Sequence, residues 1–267
     1  MRVLICLLFK DSILWLDRFI YCIESLLKDV PDGITYHLSI IHGDSKDGTD
    51  GELKRYTADL LSKYKTDGLK VKMVEIPLPS RLNRIERLAV LRNACIVMVD
   101  IEDYDYVLAA DTDVMFEPHA IKKLIEDIQD DKLNAGIVAP MIMIEGAENT
   151  GKEYFYDTWV FRIAGKTFTS AAPYIPAGIS PDIAAGVFEV DSVGSFYIAR
   201  AGLFSRYGIK YFTEERKDIR INPQLKYESE QVCFCNDVRK RTPYKIYVDP
   251  EVTVHHVNLE QYGLKWH

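Results

Sequence analysis

The amino-acid sequence predicts an α/β fold in which a mainly parallel central sheet is flanked by helices. Two observations in the first half of the chain support this prediction. Short apolar runs rich in Val, Ile and Leu alternate with longer stretches whose apolar residues recur every three to four positions. Strands that alternate with helices of this length pair in parallel, and a ligand is then expected beyond the carboxyl ends of the strands.

The predicted elements follow one another regularly as far as residue 143. Apolar runs predict strands at residues 3–9, 36–41, 71–76, 106–110 and 136–143. Amphipathic stretches predict helices at residues 12–27, 50–64, 84–99 and 118–128. In the first of these helices, one face is formed by Leu16, Phe19, Ile20, Ile23 and Leu27.

The pattern is less regular after residue 145. Residues 164–186 are rich in Ala, Gly, Pro and Ser, which predicts a long loop of the kind that often covers a substrate. Further strands are predicted at residues 187–199, 245–248 and 252–257, and further helices at residues 201–207 and 229–239. Because no repeat, low-complexity tract or linker interrupts the chain, we expect one domain spanning residues 1–267.

Composition excludes some classes of protein. The net charge of -7 disfavours a protein that grips nucleic acid with its whole surface, which requires clustered Lys and Arg. The apolar run at residues 3–9 is too short to cross a bilayer and is followed by no small-residue cleavage site, and no run reaches about 18 apolar residues. We therefore expect a cytoplasmic protein whose cysteines are reduced and buried: Cys6, Cys22, Cys95, Cys233 and Cys235.

The strongest chemical signal is the pair Asp111 and Asp113, which follows a predicted buried strand. Acidic pairs in surface turns are common and often have no function. Here, however, two carboxylates beside an apolar core are costly unless they bind something. Carboxylates at positions i and i+2 of a turn suit Mg²⁺ or Mn²⁺, whose coordination a diphosphate completes. Such a metal offsets the charge that develops on a departing nucleoside diphosphate.

The segment 43–50, Gly-Asp-Ser-Lys-Asp-Gly-Thr-Asp, directly follows the second predicted strand. It is a turn in which Thr49 or Asp50 is suited to cap the next helix. An acid at the end of this strand is also well placed to bind a base N–H or a ribose hydroxyl. Asp44 is the first candidate for that contact, and Asp47 is the second.

Basic residues of the predicted helix 84–99 are candidates for binding phosphate. Arg84, Arg87 and Arg81 share a face, which is either a solvated basic surface or an anion contact. Arg92 and Asn93 lie deeper in the apolar pattern, where a polar partner is expected, and a diphosphate would suit them.

Two further segments carry candidate residues. Alternation along the last strand places His255 and His256 on opposite faces, so that one of them can reach a metal as a neutral imidazole. Ahead of the predicted helix 229–239, Glu228 and Glu230 flank Ser229. These residues serve either as a helix cap or as carboxylates that bind the acceptor hydroxyl or act as a base.

Taken together, these segments resemble GT-A glycosyltransferases, whose Rossmann-like fold binds a nucleotide sugar. The finer resemblance is to fungal capsule-associated α-1,3-mannosyltransferases, with yeast Golgi mannan-polymerase subunits as more distant relatives. It is carried by residues 87–93, 106–114, 155–160 and 229–234 and extends over about residues 1–258. The resemblance implies a nucleotide-sugar-binding half at residues 1–145 and an acceptor-binding half at residues 146–267.

The resemblance also implies roles for individual residues. Asp111 and Asp113, with Thr112 between them, would bind the donor through Mn²⁺ or Mg²⁺, and Asp113 would be the direct ligand. His256 aligns better than His255 with the late metal-binding histidine of the family. Asp157 and Trp159 would lie near the sugar or the acceptor, and Glu230 would face the reaction centre.

The sequence departs from the family in two ways. Inverting relatives often carry Glu-Asp where this chain has Glu230-Gln231, which favours a retaining mechanism, although Glu230 or Glu228 could replace the missing base. The fungal relatives also begin with a membrane anchor, and no such anchor is recognisable here. A cytosolic hydroxyl acceptor is therefore expected: a glycan, a lipid-linked intermediate, a protein, a small molecule or a modified DNA base.

Two other classes remain as alternatives. A sugar-nucleotide pyrophosphorylase or nucleotidyltransferase would have a Gly-rich phosphate loop after the first strand, and residues 9–12, Phe-Lys-Asp-Ser, are not such a loop. A non-catalytic sugar-binding module would not need the acidic pair or the late histidine.

Overall fold

A computed structural model of the protein describes residues 1–64, 69–77, 81–144, 155–157, 159–163, 166–167, 186–215 and 226–259. In the first half, each strand and helix lies within two residues of its predicted bounds. The elements are β1 (Arg2–Phe9), α1 (Ile13–Lys28), β2 (Thr35–His42), α2 (Thr49–Lys63), β3 (Lys70–Glu75), α3 (Arg84–Val97), β4 (Tyr106–Asp111), β5 (Val114–Met115), α4 (Pro118–Gln129) and β6 (Ala135–Ile144). The short strand β5 and a 3-10 turn at Ile101–Asp103 were not predicted.

The second half differs more from the prediction. Its elements are β7 (Arg162–Ile163), β8 (Lys166–Thr167), β9 (Phe188–Val190), β10 (Phe196–Arg200), α5 (Gly202–Ser205), α6 (Glu230–Arg241) and β11 (Lys245–His256). The prediction of one strand at residues 187–199 was wrong, because the chain turns between β9 and β10. Most of the predicted loop 164–186 lies outside the described residues.

The two strands predicted at residues 245–248 and 252–257 form the single strand β11. Its pairing with β6 is irregular between Asp249 and Thr253. Pro250 lies in this irregularity and has no backbone N–H to contribute to the sheet. The proline therefore shifts the register and does not end the strand.

The strands form a nine-stranded sheet in the order β3-β2-β1-β4-β10-β6-β11-β5, with β9 also paired to β11. Strands β3, β2, β1 and β4 pair in parallel, as predicted. Strand β10 then inserts between β4 and β6 and is antiparallel to both. The sheet is consequently mixed and not mainly parallel, and strands from both predicted halves of the chain contribute to it.

Helices cover both faces of the sheet. One face packs against α1, α2 and α4 through large buried side chains such as Phe19, Leu53 and Leu124. The other face packs against α3 and α6 through residues such as Ile96 and Phe234. Fully burying a side chain of this size contributes about 1.5–3 kcal/mol. The five cysteines are buried free thiols, and within the described ranges no helix is both long and apolar enough to cross a membrane.

A buried acidic pair joins α4 to β11, away from the carboxyl ends of β1 and β4. Asp127 and Asp249 are 5% and 1% exposed, and Lys123 Nζ lies 2.6 Å from Asp127 Oδ1 and 3.6 Å from Asp249 Oδ2. Oδ2 of each aspartate has no hydrogen-bond partner among the described residues. Burial raises the pKa of Asp127 to about 6, and the facing Asp249 carboxyl adds to this effect although Lys123 opposes it.

This pair predicts a pH-dependent stability. The pKa of Asp127 is about 6 in the folded protein, against about 3.9 in an unfolded chain. The folded state therefore binds more protons between these values, and stability falls as the pH rises through this window. Asp127→Asn should raise the free energy of unfolding by about 1–2 kcal/mol at pH 7.5, since each pKa unit corresponds to about 1.4 kcal/mol and losing the Lys123 ion pair offsets part of the gain.

The measurement is urea unfolding of wild type and Asp127→Asn at pH 4.5 and pH 7.5. Glu126→Gln, which changes an exposed carboxylate on the same helix, is the matched control and should show no such gain. An equal effect of Asp127→Asn at both pH values would contradict the explanation that the raised pKa of Asp127 causes the change in stability.

Candidate active site

The turn that carries Asp111 and Asp113 lies where β4 ends and β5 begins. Its backbone is fixed by a hydrogen bond from Asp111 N to Ser195 O at 2.7 Å. Thr112 is buried, and its hydroxyl donates to the Leu8 carbonyl at 3.0 Å. The Thr112 side chain therefore anchors the turn to β1, and its donor contact stays a prediction. Asp111 and Asp113 keep 29% and 30% of their side-chain surface exposed.

Arg92 lies between two carboxylates in the interior. Its Nη2 donates to Asp111 Oδ1 at 2.6 Å and its Nε donates to Glu230 Oε1 at 3.0 Å. The Arg92 side chain is only 6% exposed. Burial alone would lower the pKa of Arg92, but the two carboxylates raise it by more than burial lowers it, so the guanidinium stays charged. The Arg92 charge is matched inside the protein by Asp111 and Glu230, and its contact with a diphosphate stays a prediction.

Asn93 has a structural role as well. Its Nδ2 donates to the Tyr211 carbonyl at 2.7 Å, and its Oδ1 accepts from Tyr211 N at 3.0 Å. Both ends of the amide are occupied by one backbone position 118 residues away. Asn93 therefore holds the segment at Tyr211 against α3, and its diphosphate contact also stays a prediction.

The acids before α6 differ in environment. Glu230 is 3% exposed, and its Oε2 accepts from Ser229 Oγ at 3.3 Å while Oε1 is held by Arg92. Its carboxylate is buried and paired with Arg92, and its place facing the reaction centre stays a prediction. Glu228 is half-buried, accepts from Ser229 N at 3.1 Å and lies 3.6 Å from Arg162 Nη2.

His256 reaches the acidic turn and His255 does not. The register of β11 pairs His256 with Val114, next to Asp113, while the His255 side chain is exposed on the other face. His256 Nε2 lies 3.2 Å from Asp113 Oδ2, and its Nδ1 lies 2.7 Å from the Val257 carbonyl. Burial acts to lower the pKa of His256, but the Asp113 carboxylate outweighs it and the pKa is raised. Burial acts to raise the pKa of Asp113, but His256 outweighs it and the pKa is lowered.

Asp157 is brought to the same place by a tightly fixed segment. It is 6% exposed, and its Oδ1 accepts from Ser195 Oγ at 3.3 Å. Ser195 has a φ of 51°, and its N–H donates to Gln231 Oε1 at 2.9 Å. A Cβ on Gly194 would overlap Gln231 and Val160, so only glycine fits there. Burial and the nearby Asp111 charge raise the pKa of Asp157 to about 7.

Two aromatic residues flank Asp157. Tyr156 stacks on the imidazole of His256, with ring centroids 3.6 Å apart and an interplanar angle of 22°. Trp159 is 39% exposed in the turn that follows. Tyr156, Ser195 and Gly194 were not selected from the sequence as site residues. Only the Gly-Ser dipeptide between two apolar runs carries a local signal of unusual backbone.

The loops after β2 and β3 provide the remaining candidates. Asp44 is exposed, with a φ of 57°, and makes no hydrogen bond to the described residues. Asp47 has a structural role instead: its Oδ2 accepts from Ile13 N at 3.0 Å and its Oδ1 accepts from Thr49 N at 3.0 Å. Arg84 is exposed at the start of α3, and its positive charge is close enough to help lower the pKa of Asp113.

The chemistry of these side chains fits a divalent cation. No group of three His, Cys, Asp or Glu residues in the described parts of the chain is arranged as a complete metal site. Asp113 Oδ2 and His256 Nε2 nevertheless lie 3.2 Å apart, close to the about 3 Å expected between adjacent ligands of an octahedral ion with bonds of about 2.1 Å. Because the Val257 carbonyl can only accept, Nδ1 carries the proton, and in the neutral ring the lone pair of Nε2 can bind a metal.

Comparison with known proteins assigns the chain to a family. The family model described as cryptococcal mannosyltransferase 1 matches residues 4–196, which is more than half of the chain. The chain belongs to this family. Membership of a mannosyltransferase family favours glycosyl transfer over the pyrophosphorylase and lectin alternatives. No curated protein matches the chain.

Solved structures of other glycosyltransferases share the fold. TarS of S. aureus in complex with UDP-GlcNAc is 14% identical with a TM-score of 0.56, over 97% of this chain and 59% of that chain. Mannosyltransferase PcManGT from Pyrobaculum calidifontis, in complex with GDP-Man and Mn²⁺, is 13% identical with a TM-score of 0.54, over 95% of this chain and 56% of that chain. The chain thus spans less than two thirds of either structure. The predicted α/β GT-A fold is confirmed.

The buried position of Arg92 generates a stability prediction. Arg92→Met should destabilise the protein by about 3 kcal/mol or more, because it leaves the Glu230 carboxylate buried without a partner. Arg84→Met, at an exposed position of the same helix, should stay within about 0.5 kcal/mol of wild type. Urea unfolding at pH 7.5 measures both changes.

A double variant separates charge from packing. Arg92→Met/Glu230→Gln should recover part of the loss, because it removes the unpaired charge as well. If Arg92→Met is as stable as wild type, the guanidinium does not hold the two carboxylates as described.

Proposed function

We propose that the protein transfers a hexose, with mannose as the first candidate, from a nucleoside diphosphate sugar to a hydroxyl acceptor, with a divalent metal ion at Asp113 and His256. The observation that carries the proposal is the approach of these two side chains at the end of β4, in a chain of the mannosyltransferase family. The Mn²⁺ and GDP-Man in the complex of PcManGT support the choice of metal and donor to be tested first.

Mn²⁺ or Mg²⁺ would supply positive charge against the leaving diphosphate when bound. On the protein side, Asp113 and His256 provide the two ligands, and Asp111 lies beside them with its Oδ1 fixed by Arg92. Asp111 is thereby oriented to bind the donor, at the ribose or through the metal. The exposed guanidinium of Arg84, which lies near Asp113, is the cation best placed to bind the diphosphate.

The nucleoside part of the donor is assigned to the loop after β2. Asp44 is exposed there, and its carboxylate can accept from a base N–H or a ribose hydroxyl. Asp47, the second choice for this contact, is already occupied with the backbone of Ile13 and Thr49. Asp47 therefore shapes the loop that presents Asp44.

Asp157 is the acid best suited to act near the sugar. Its pKa of about 7, raised by burial and by Asp111, lets it hold or release a proton at neutral pH. Trp159, in the following turn, offers an exposed aromatic face of the kind that packs against sugars. Glu228 remains the more accessible of the two acids before α6, since Glu230 is neutralised by Arg92.

A retaining outcome is proposed. The side chain that follows Glu230 is Gln231, which cannot accept a proton, and its Oε1 binds the Ser195 N–H in the interior. This position therefore supplies no base to activate an acceptor for direct displacement. The acceptor remains a hydroxyl of a glycan, a lipid-linked intermediate, a protein, a small molecule or a modified DNA base.

The metal proposal predicts that hydrolysis or transfer of GDP-mannose requires Mn²⁺ or Mg²⁺ and stops in excess EDTA. Asp113→Ala should lower kcat at least about 100-fold, the scale of several kcal/mol of lost charge stabilisation. His256→Gln should weaken Mn²⁺ affinity about 10-fold, by analogy with the loss of a supporting group at a metal site. His255→Gln, one residue away on the opposite face, is the matched control and should leave the affinity unchanged.

Release of mannose or its transfer to a simple sugar acceptor, followed during a Mn²⁺ titration, provides the measurement. Full turnover in EDTA would contradict metal dependence. A shift with His255→Gln and none with His256→Gln would contradict the assignment of the ligand.

Asp44 generates a separate prediction about the donor. Asp44→Ala should raise the KM for the donor more than it lowers kcat, because nucleoside recognition contributes similarly before and during the reaction. Asp47→Ala is the control from the same loop and should lower the free energy of unfolding by about 1 kcal/mol, because the hydrogen bonds to Ile13 N and Thr49 N are lost. An unchanged KM with Asp44→Ala would move the nucleoside contact elsewhere.

A further inference from the structure

The imidazole of His256 is held by more than its own strand. His256 is the last residue of β11, where it pairs with Val114 of the two-residue strand β5 on one side and with Ile144, the last residue of β6, on the other. The bond from Nδ1 to the Val257 carbonyl fixes the tautomer. One hydrogen bond at the end of a strand still allows the ring to tilt, so a second contact is needed to keep Nε2 directed at Asp113.

Tyr156 supplies that second contact. Its ring lies parallel to the imidazole, with centroids 3.6 Å apart and an angle of 22°, so a large rotation of the histidine would drive the rings into each other. The tyrosine is itself fixed: its N–H donates to the Ile142 carbonyl at 2.7 Å, and its side chain packs against the main core. Because Tyr156 is bonded to β6, its stacked ring restricts the rotation of the His256 imidazole.

Its neighbours place Tyr156 inside the site. Asp157 follows directly in the chain and lies among the carboxylates of the acidic turn, while β6 lies beside β11 in the sheet. Tyr156 is the ring that covers the face of His256, and the edge of the imidazole with Nε2 remains directed at Asp113. This arrangement suits a residue that orients a metal ligand.

We propose that Tyr156 is a positioning residue for His256: the stacked ring holds Nε2 toward Asp113 and thereby sets the affinity of the site for a divalent cation. The inference rests on the proposed function insofar as His256 is taken to bind the metal. The ring of Tyr156, and not its hydroxyl, is proposed to set the metal affinity. This distinguishes a positioning role from direct contact of the phenol oxygen with the metal or the donor.

The test compares two ways of changing Tyr156 in the full chain. Tyr156→Phe keeps the stacked ring and should bind Mn²⁺ within about twofold of wild type. Tyr156→Leu removes the ring and should weaken Mn²⁺ binding about 10-fold, the scale found when outer supports of metal ligands are lost. Free and bound Mn²⁺ are distinguished directly by electron paramagnetic resonance, without donor or turnover. Tyr156→Met is a second ring-free variant of similar volume, in case the Leu variant folds poorly.

Tyr104→Leu is the matched control. Tyr104 also packs against a histidine, His37, with centroids 5.4 Å apart, but it precedes β4 and so lies at the opposite end of that strand from the acidic turn. Thermal unfolding of each variant measures any general loss of stability. Tyr104→Leu should lower stability without changing Mn²⁺ affinity, whereas Tyr156→Leu should regain donor turnover at saturating Mn²⁺.

The outcomes distinguish this inference from the proposed function. If wild type binds Mn²⁺ and a folded ring-free variant binds it equally well, the positioning role is overturned and the metal site stands. If Tyr156→Phe loses as much affinity as Tyr156→Leu, the hydroxyl and not the stack is responsible, and the inference is again overturned. If wild type binds no Mn²⁺, the metal site itself fails, and the positioning role fails with it.

Discussion

The ion bridge from Asp111 through Arg92 to Glu230 is the interaction on which the site depends. It joins the end of β4, the middle of α3 and the first residue of α6, and the two bonded carboxylates are 119 positions apart in the chain by number, Asp111 to Glu230. A guanidinium with almost no exposed surface is stable only when its charge is matched and its donors are used. Since both carboxylates are fixed by sheet or helix, the bridge holds α3 and α6 in place against the end of β4.

Because of this bridge, the two aspartates of the turn have different counterions. The charge of Asp111 is compensated from inside by Arg92, whereas Asp113 faces the single imidazole of His256. A histidine is a variable counterion, because it can lose its proton and become a ligand. Asp111 is thus held by a permanent charge, whereas the partner of Asp113 carries a proton that a metal cation can replace. The same reasoning explains why Glu230, although adjacent in sequence to the predicted acceptor region, is a structural carboxylate.

The sequence predicted the first half of the fold well and the contacts of the site only in part. Local periodicity determines elements such as β1 and α3, so their bounds can be read from the chain. Periodicity does not say which strand enters between two others, and β10 was therefore not expected between β4 and β6. For the same reason, Arg92 and Asn93 were recognised as polar groups needing partners, but Glu230 and Tyr211, which supply contacts to them, lie over 100 residues away in the chain, and a ligand was expected instead. Strand alternation, a local rule, separated His255 from His256, and the family resemblance then selected His256, which the structure brings beside Asp113.

The insertion of β10 has a consequence for how the protein forms. Until residues 196–200 are in place, β4 and β6 each present an unpaired edge to solvent, and both strands are strongly apolar. Open apolar edges are where chains pair with each other and aggregate. The strands up to β6 consequently cannot complete their sheet during synthesis before the later strand emerges. Pairing between distant segments also makes folding slow, so this chain should depend on chaperones more than its regular first half suggests.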